Sequence, residues 1–442
     1  MLTRLRVSGF KNLVDVDVRF GPFTCIAGAN AAGKSNLFDA IRFLGLLTEH
    51  TLLEAAGMLR GSANMPFDVR ELFFSDGKET LHEMHFEADI IIPSEGEDDS
   101  GRVRKALTTF VRYSLSLALD DQRSLHPLII KSEQLVSLDS KEAFESILFP
   151  YSEQWYESIQ SQSQIYDVRN DGSPIIPDTF ITTSEGIITI WAASIGVPIE
   201  NDAARLLKTI LSSAHSILHP TAYLVQQEMR SWQHFLLEPS ALRMPDSFAD
   251  AQEHKHIDIV GRYLPATLYD IAIHYGAEEG EDTPDKAALY ARLANRLNEL
   301  IGDVRGVEVK RNDEAQQLSL VITNRQGVKL SPRALSDGTL RFLAYAIMLE
   351  DRHPGVLCIE EPENGMHPQR IPALLRLLQD IAMDAQLPLG DDNPLRQVII
   401  STHSPLVVSY VPDDALVYVR SVLHGRGHHR ASIGHRIPGE RG

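Results

Sequence analysis

Gly28-Ala29-Asn30-Ala31-Ala32-Gly33-Lys34-Ser35 sets two glycines around four residues and follows them with a lysine and a serine. Phe23-Thr24-Cys25-Ile26-Ala27 before it is short, apolar and β-prone, and Asn36 to Leu44 after it carries apolar residues at helical spacing. Strand, glycine turn and helix in that order aim backbone N–H groups and a positive helix end at one point, as a polyphosphate requires. In this pattern Lys34 reaches the β/γ-phosphates and the Ser35 hydroxyl is a Mg²⁺ ligand, with Asn30, Gly33 and Asn36 in the same nucleotide-binding cradle. A glycine turn that only caps a helix is the plainer reading, and the strand and helix on either side weigh against it.

Outward from this stretch, residues 1–20 read as a hairpin: Leu2 to Val7 alternates, Gly9 and Asn12 punctuate, and Val14 to Phe20 alternates strictly. Leu46 to Met58 reads as a helix broken by Gly61-Ser62-Ala63-Asn64. From about 75 to 300 the character changes. His85 to Ile92, Thr109 to Leu119 and Leu128-Ile129-Ile130 read as strands of a meander, and the acidic stretch Glu95 to Gly101 as a solvated loop. Helices are expected over Ser152 to Gln162, Ala203 to Leu218 and Leu289 to Leu300, with a second acidic loop at Glu278 to Asp282. Strands Val307-Glu308-Val309 and Leu318 to Ile322 then lead into alternating helix and strand up to about 408.

A chain of 442 residues, 43% apolar and 23% charged, has the composition of a globular protein with a full core. No apolar run reaches membrane-span length, and the N-terminus enters a strand pattern at once, so neither a membrane segment nor a signal peptide is expected. Two cysteines, Cys25 and Cys358, sit in apolar strands and fit a reducing, cytoplasmic setting without disulfides. A net charge of −18 argues against a surface that coats DNA and leaves room for a local basic groove.

Three further stretches carry chemistry. Leu335-Ser336-Asp337-Gly338-Thr339 precedes a helix and offers a second set of N-terminal N–H groups, although a plain N-cap explains it as well. Val356 to Glu361 is an apolar strand ending in two carboxylates: one acid to hold Mg²⁺, the next to orient and deprotonate a water. Val398-Ile399-Ile400-Ser401-Thr402-His403 is another apolar strand, ending in a histidine that alone would read as structural.

Taken in order, these stretches resemble the ABC-type ATPase heads of the SMC/RecF/OLD group. Gly28 to Ser35 is similar to their Walker A, Leu335 to Thr339 to their signature, and Leu357 to Glu361 to their Walker B in its Glu-Glu-Pro-Glu form. Glu363 to Pro368 resembles the D-loop, His403 the switch histidine, and Gly9-Phe10-Lys11-Asn12 the first-strand turn. Glu133-Gln134 and Glu238-Pro239 are both candidates for the Q-loop, and Trp232 to Pro245 resembles a segment of bacterial defence ATPases.

The resemblance implies an α/β fold: a P-loop head of mixed sheet with helices on both faces, an N-terminal β-meander and an inserted helical or mixed middle lobe. On this plan residues 1–75 and 301–418 are the two parts of the head, 76–300 the middle section and 419–442 a basic tail. It also implies ATP and Mg²⁺ as ligands, with Ser35 and Glu360 on the metal, Glu361 as general base and His403 on the γ-phosphate. Ser336 and Gly338 of a second head would cap the bound ATP, making a homodimer or higher homo-oligomer. The middle section lacks the heptads of long SMC arms, and the stretch after His403 is too short for the Toprim domain of OLD nucleases. A separate effector, a nuclease or toxin, is therefore expected, in an anti-phage or DNA-maintenance system. The rival expectation is a nucleotide-locked scaffold that sequesters an effector, with slow hydrolysis. The tail holds Arg420, Arg426, Arg430, Arg436 and Arg441 with His424, His428, His429 and His435. It reads as a basic hairpin or flexible tail, the best local candidate for contact with DNA or an acidic partner.

Overall fold

The computed structural model describes residues 1–59, 67–75, 80–123, 125–160, 178–192, 197–274, 283–351, 353–424 and 428–435. The opening alternation becomes a strand pair, Leu2–Ser8 antiparallel to Val16–Arg19, with Leu5 opposite Val18. Glu83–Ile91 pairs the other side of Leu2–Ser8. Phe110–Leu119, Leu128–Ser137, Thr179–Ser184, Ile187–Ala192 and Val197–Asp202 then follow in order, completing an eight-stranded antiparallel sheet. A smaller sheet is built from Val304–Asn312, Gln317–Asn324, Asp246–Ser247 and Lys329–Leu330.

The second large sheet has the order Gln233–Phe235, Gly355–Glu360, Arg396–Thr402, Phe23–Ala27, Leu416–His424, all parallel, with His428–His435 antiparallel at the edge. Parallel strands covered on both faces read as unbroken apolar runs, and Arg396–Thr402 is buried along its whole length. The helix Lys34–Leu46 is clasped between the two large sheets: its Leu37, Ile41, Phe43 and Leu44 share one core with Leu5, Val7 and Phe86 and with Val356 and Cys358. Helices Leu264–His274, Pro284–Ile301, Asp337–Glu350 and Ile371–Ile381 build a second core with Ile359, Val398 and Ile400. Among the described residues no helix is long and apolar enough to cross a membrane.

Residues 76–300 contribute to both large sheets, since six strands extend the first and Gln233–Phe235 flanks the second. A third, smaller core ties this section to the C-terminal part through Trp155, whose indole N–H points at Met383 Sδ, 3.3 Å away. Three expectations are corrected. Ala203 to Leu218 is not a helix: it holds only the short turns Ala203–Arg205 and Leu211–Ser213, because the buried Glu133 carboxylate accepts the N–H groups of Ile210 and Leu211. Leu46 to Met58 is interrupted: Lys34–Leu46 ends, and a capping box on Thr51 starts a new helix, Leu52–Gly57. The acidic stretch Glu95 to Gly101 forms one side and the turn of an exposed hairpin, Glu95–Glu97 against Val103–Lys105. Gly61 to Asn64, Glu278 to Asp282, Gln162, Arg426, Arg436 and Arg441 lie outside the described residues.

Candidate nucleotide site

The strand Phe23–Ala27 stops at Gly28, and the chain turns through Ala31 and Gly33, both in left-handed backbone (φ 63° and 114°), into the helix Lys34–Leu46. Glycine at 33 meets two demands at once. Its φ suits no ordinary side chain, and a Cβ there would come within 2.8 Å of Ala431 Cβ. At Gly28 a Cβ would meet the Val419 carbonyl oxygen at 2.2 Å. The described residues of the tail, 419–424 and 428–435, belong to the hairpin that backs the phosphate loop. Ala431 donates to the Asn12 carbonyl at 2.9 Å, and Asn12 in turn accepts from Asn36 at 2.8 Å. Lys11 pairs with buried Asp39 at 2.7 Å, fastening the first-strand turn to the same helix.

Asn30, Gly33, Lys34, Ser35 and Asn36 line one cavity of about 270 Å³ with Glu360, Glu361 and Ser401. The Lys34 ammonium donates to the carbonyls of Gly28 and Ala29, at 2.7 and 2.9 Å. Burial lowers its pKa, and Glu361, Glu360 and Glu363 pull the other way, so the carboxylates favour the charged form. The Ser35 hydroxyl and the Glu360 carboxylate are hard oxygen donors of the kind Mg²⁺ takes, and both line the cavity.

Glu361 follows the strand with φ 44°, a conformation uncommon for a side-chain-bearing residue. Its N–H donates to the Ser401 carbonyl at 2.9 Å. Its carboxylate is 2.7 Å from His403 Nδ1 and accepts from the Asn364 amide at 2.8 Å. Glu363, two residues on, is buried and hydrogen-bonded by the Thr402 hydroxyl; burial raises its pKa. The carboxylate strand and the histidine strand therefore meet at their carboxyl ends beside the phosphate loop, the place where parallel α/β sheets hold ligands.

Ser336 and Gly338 are not among the residues lining this cavity. Ser336 caps the helix Asp337–Glu350, accepting from the Thr339 N–H, while Asp337 pairs with Arg243 at 2.6 Å. Gly338 allows a close backbone contact, since a Cβ there would stand 2.5 Å from the Gly365 carbonyl oxygen. Arg341 closes the same joint by donating to the Asn364 and Leu237 carbonyls. Of the two Q-loop candidates, Glu133 is enclosed in the antiparallel sheet, whereas Glu238-Pro239 follows the strand beside Gly355–Glu360.

One residue at the site carries no motif. His234 is buried, with Nε2 3.2 Å from Glu360 Oε1, and neither ring nitrogen has a hydrogen-bond partner of good geometry. Its ring stands edge-on to Phe38, 5.3 Å between centroids. Trp232 to Pro245 marked the segment but not this role.

Fold and site together define a phosphate-loop protein of the ABC-head kind. The family models that match the chain agree. A family model described as "AAA domain, putative AbiEii toxin, Type IV TA system" matches residues 205–409, and a second, described as "AAA domain", matches residues 4–162. The DNA replication and repair protein RecF of Paenarthrobacter aurescens (strain TC1) is 37% identical over 60 residues, 13% of this chain and 15% of that protein's length. Among solved structures, an Smc head bound to the C-winged helix domain of ScpA aligns over 98% of this chain and 97% of its own, at 12% identity and a TM-score of 0.47. The SMC head domain from Thermotoga maritima aligns over 98% of both chains, at 13% identity and a TM-score of 0.40. Both matched family models are AAA domains, together spanning residues 4–162 and 205–409, and the chain is similar to RecF over a short stretch.

Proposed function

We propose that the chain binds ATP with Mg²⁺ in the cavity between the phosphate loop and the carboxylate strand and hydrolyses it to ADP and phosphate. The observation that carries this reading is that Lys34, Ser35, Glu360 and Glu361, from opposite ends of the chain, line one cavity. Lys34 neutralises charge between the β- and γ-phosphates. Ser35 and Glu360 would hold the Mg²⁺, which when bound offsets the negative charge of the transferring phosphoryl group. Glu361, oriented by Asn364 and His403, takes the proton of the attacking water, and His403 turns its other nitrogen to the γ-phosphate.

On this reading residues 1–75 and 301–418 carry the nucleotide chemistry and 76–300 braces them. Ser336 and Gly338, absent from the cavity of their own chain, cap the ATP of a second copy, so nucleotide drives homodimerisation or higher assembly. The chain then serves as the cytoplasmic sensor or motor of an anti-phage or DNA-maintenance system. A separate nuclease or toxin is its effector, and the hairpin backing the phosphate loop is its candidate DNA contact.

Glu361→Gln is the test. It should lower turnover by about 10²- to 10⁴-fold and leave ATP affinity near wild type, because the lost group orients water rather than phosphate. Lys34→Ala should abolish ATP binding by calorimetry. Wild-type turnover in Glu361→Gln would move the base elsewhere, and wild-type affinity in Lys34→Ala would move the nucleotide. A wild-type chain that binds ATP and assembles without turnover would favour the scaffold instead.

A further inference from the structure

At the amino ends of the parallel strands, away from the phosphate loop, lies a second cleft of about 380 Å³. Gln233, Phe235 and Leu357 line it, and His256, Asp351 and His353 lie together on it. These three come from two places in the chain, Asp351 and His353 sharing one short connector. His256 follows the helix Phe248–Glu253, Asp351 ends the helix Asp337–Glu350, and His353 precedes the strand Gly355–Glu360. His256 Nδ1 is 3.0 Å from Asp351 Oδ2, and the two imidazole rings are 4.4 Å apart at 40°. One ligand atom from each of the three lies within 4.8 Å of the others.

A hydrogen-bonded Asp–His pair alone would account for Asp351 and His256. It does not account for His353, whose ring is brought against His256, so that two imidazoles converge on one carboxylate. Ligand atoms about 2.0–2.2 Å from a shared ion must lie about 3.5 Å apart. The His256–Asp351 pair is already near that spacing, and His353, exposed at the rim, brings a ligand atom within 4.8 Å of both. Two nitrogens and one carboxylate oxygen form a donor set for Zn²⁺-class ions rather than Mg²⁺.

We propose that His256, Asp351 and His353 bind one Zn²⁺-class divalent ion, with its fourth position open to the cleft. The ion clips together two segments that both lead to the nucleotide site. Ile259 and Val260, just beyond His256, accept the N–H groups of Leu236 and Glu238 beside the carboxylate strand. Asp351 terminates the helix that Ser336 begins.

The test uses Co²⁺ on the full chain after chelation, without nucleotide and in excess Mg²⁺ to fill oxygen-donor sites. One equivalent of Co²⁺ should bind with the visible d–d absorption of a four-coordinate ion and be displaced by Zn²⁺. His256→Asn and His353→Asn should each lose the band and weaken binding by about tenfold or more. Asp351→Asn, which keeps a hydrogen bond to His256 but not the charge, should weaken it too. Metal-free melting temperatures of the His353→Asn and wild-type chains should match, with Zn²⁺ raising only the wild type. Absence of the band in the wild type overturns the proposal. So does a band surviving in both histidine variants, which would place the ion elsewhere, on the histidines of the C-terminal hairpin for instance.

Discussion

Glu360 shows how a neighbour in register supplies what a motif does not spell out. His234 lies opposite Cys358 in the parallel pair, and Cys358 and Glu360, two residues apart on one strand, point to the same face. His234 is thus the diagonal neighbour of Glu360, and its desolvated imidazole limits the directions that carboxylate can take. We expect His234→Phe to leave the melting temperature unchanged or raised, because it removes a buried polar ring lacking hydrogen bonds. It should also raise the Mg²⁺ concentration for half-maximal turnover by about tenfold, the usual cost of losing a group that orients a metal ligand. A residue that only packs would leave the Mg²⁺ requirement alone, so that titration decides the matter. At this scale the candidate set Lys34, Ser35, Glu360 and Glu361 was legible in two short motifs, and the fold brings the four to one cavity. His234 was not, since no sequence spacing relates a histidine to a carboxylate on another strand.

Among the elements, Glu133 explains both an error of reading and a pH dependence. Its carboxylate accepts from Ile210, Leu211 and the Tyr113 hydroxyl, which turns an expected helix into two short turns. Apolar periodicity over Ala203 to Leu218 could not reveal a buried acid arriving from a strand far away in sequence. Burial raises the Glu133 pKa to about 7, against the pull of the Leu211 and Ile210 N–H groups. The folded chain therefore holds this proton to higher pH than the unfolded chain does. Stability from this group is full below about pH 4.5, falls as pH rises toward 7 and is flat beyond. At about 1.4 kcal/mol per pH unit, the ceiling is on the order of 3 kcal/mol. Denaturant unfolding of wild type and Glu133→Gln across this range should show the difference shifting in favour of the variant as pH rises. Parallel curves would mean that Glu133 is ionised throughout. Strands of the meander were legible, because alternation is a local signal; the expected helix Leu289 to Leu300 lies within Pro284–Ile301, whose earlier start, capped by Thr283, the periodicity did not reveal.

The whole molecule is a chain whose ends build one sheet: Phe23 lies opposite Val398, and the buried Gln397 side chain bonds the backbone of Leu2 and Gly21. Motif order implied that union, while the bracing by residues 76–300 and the C-terminal hairpin behind Gly33 depend on long-range pairing that a single sequence does not display. The same architecture leaves Ser336 and Gly338 outside the cavity of Lys34, and assembly tests what they are for. Ser336→Arg places a bulky cation where two heads would close, but it also removes the cap on Thr339, worth about 1 kcal/mol. Ser336→Ala removes the cap alone and serves as the control. If the proposed second-copy role holds, Ser336→Arg should bind ATP as a monomer near wild-type affinity yet lose ATP-driven association and turnover, both of which Ser336→Ala largely keeps. Linkage demands the converse, that stronger association tighten ATP binding, so affinity and molar mass are measured on the same samples with Glu361→Gln as background. Turnover is read separately in the single variants. Loss of ATP binding by monomeric Ser336→Arg would assign the serine to its own site. Association and hydrolysis like wild type would leave Ser336 as a helix cap and end the composite-site reading.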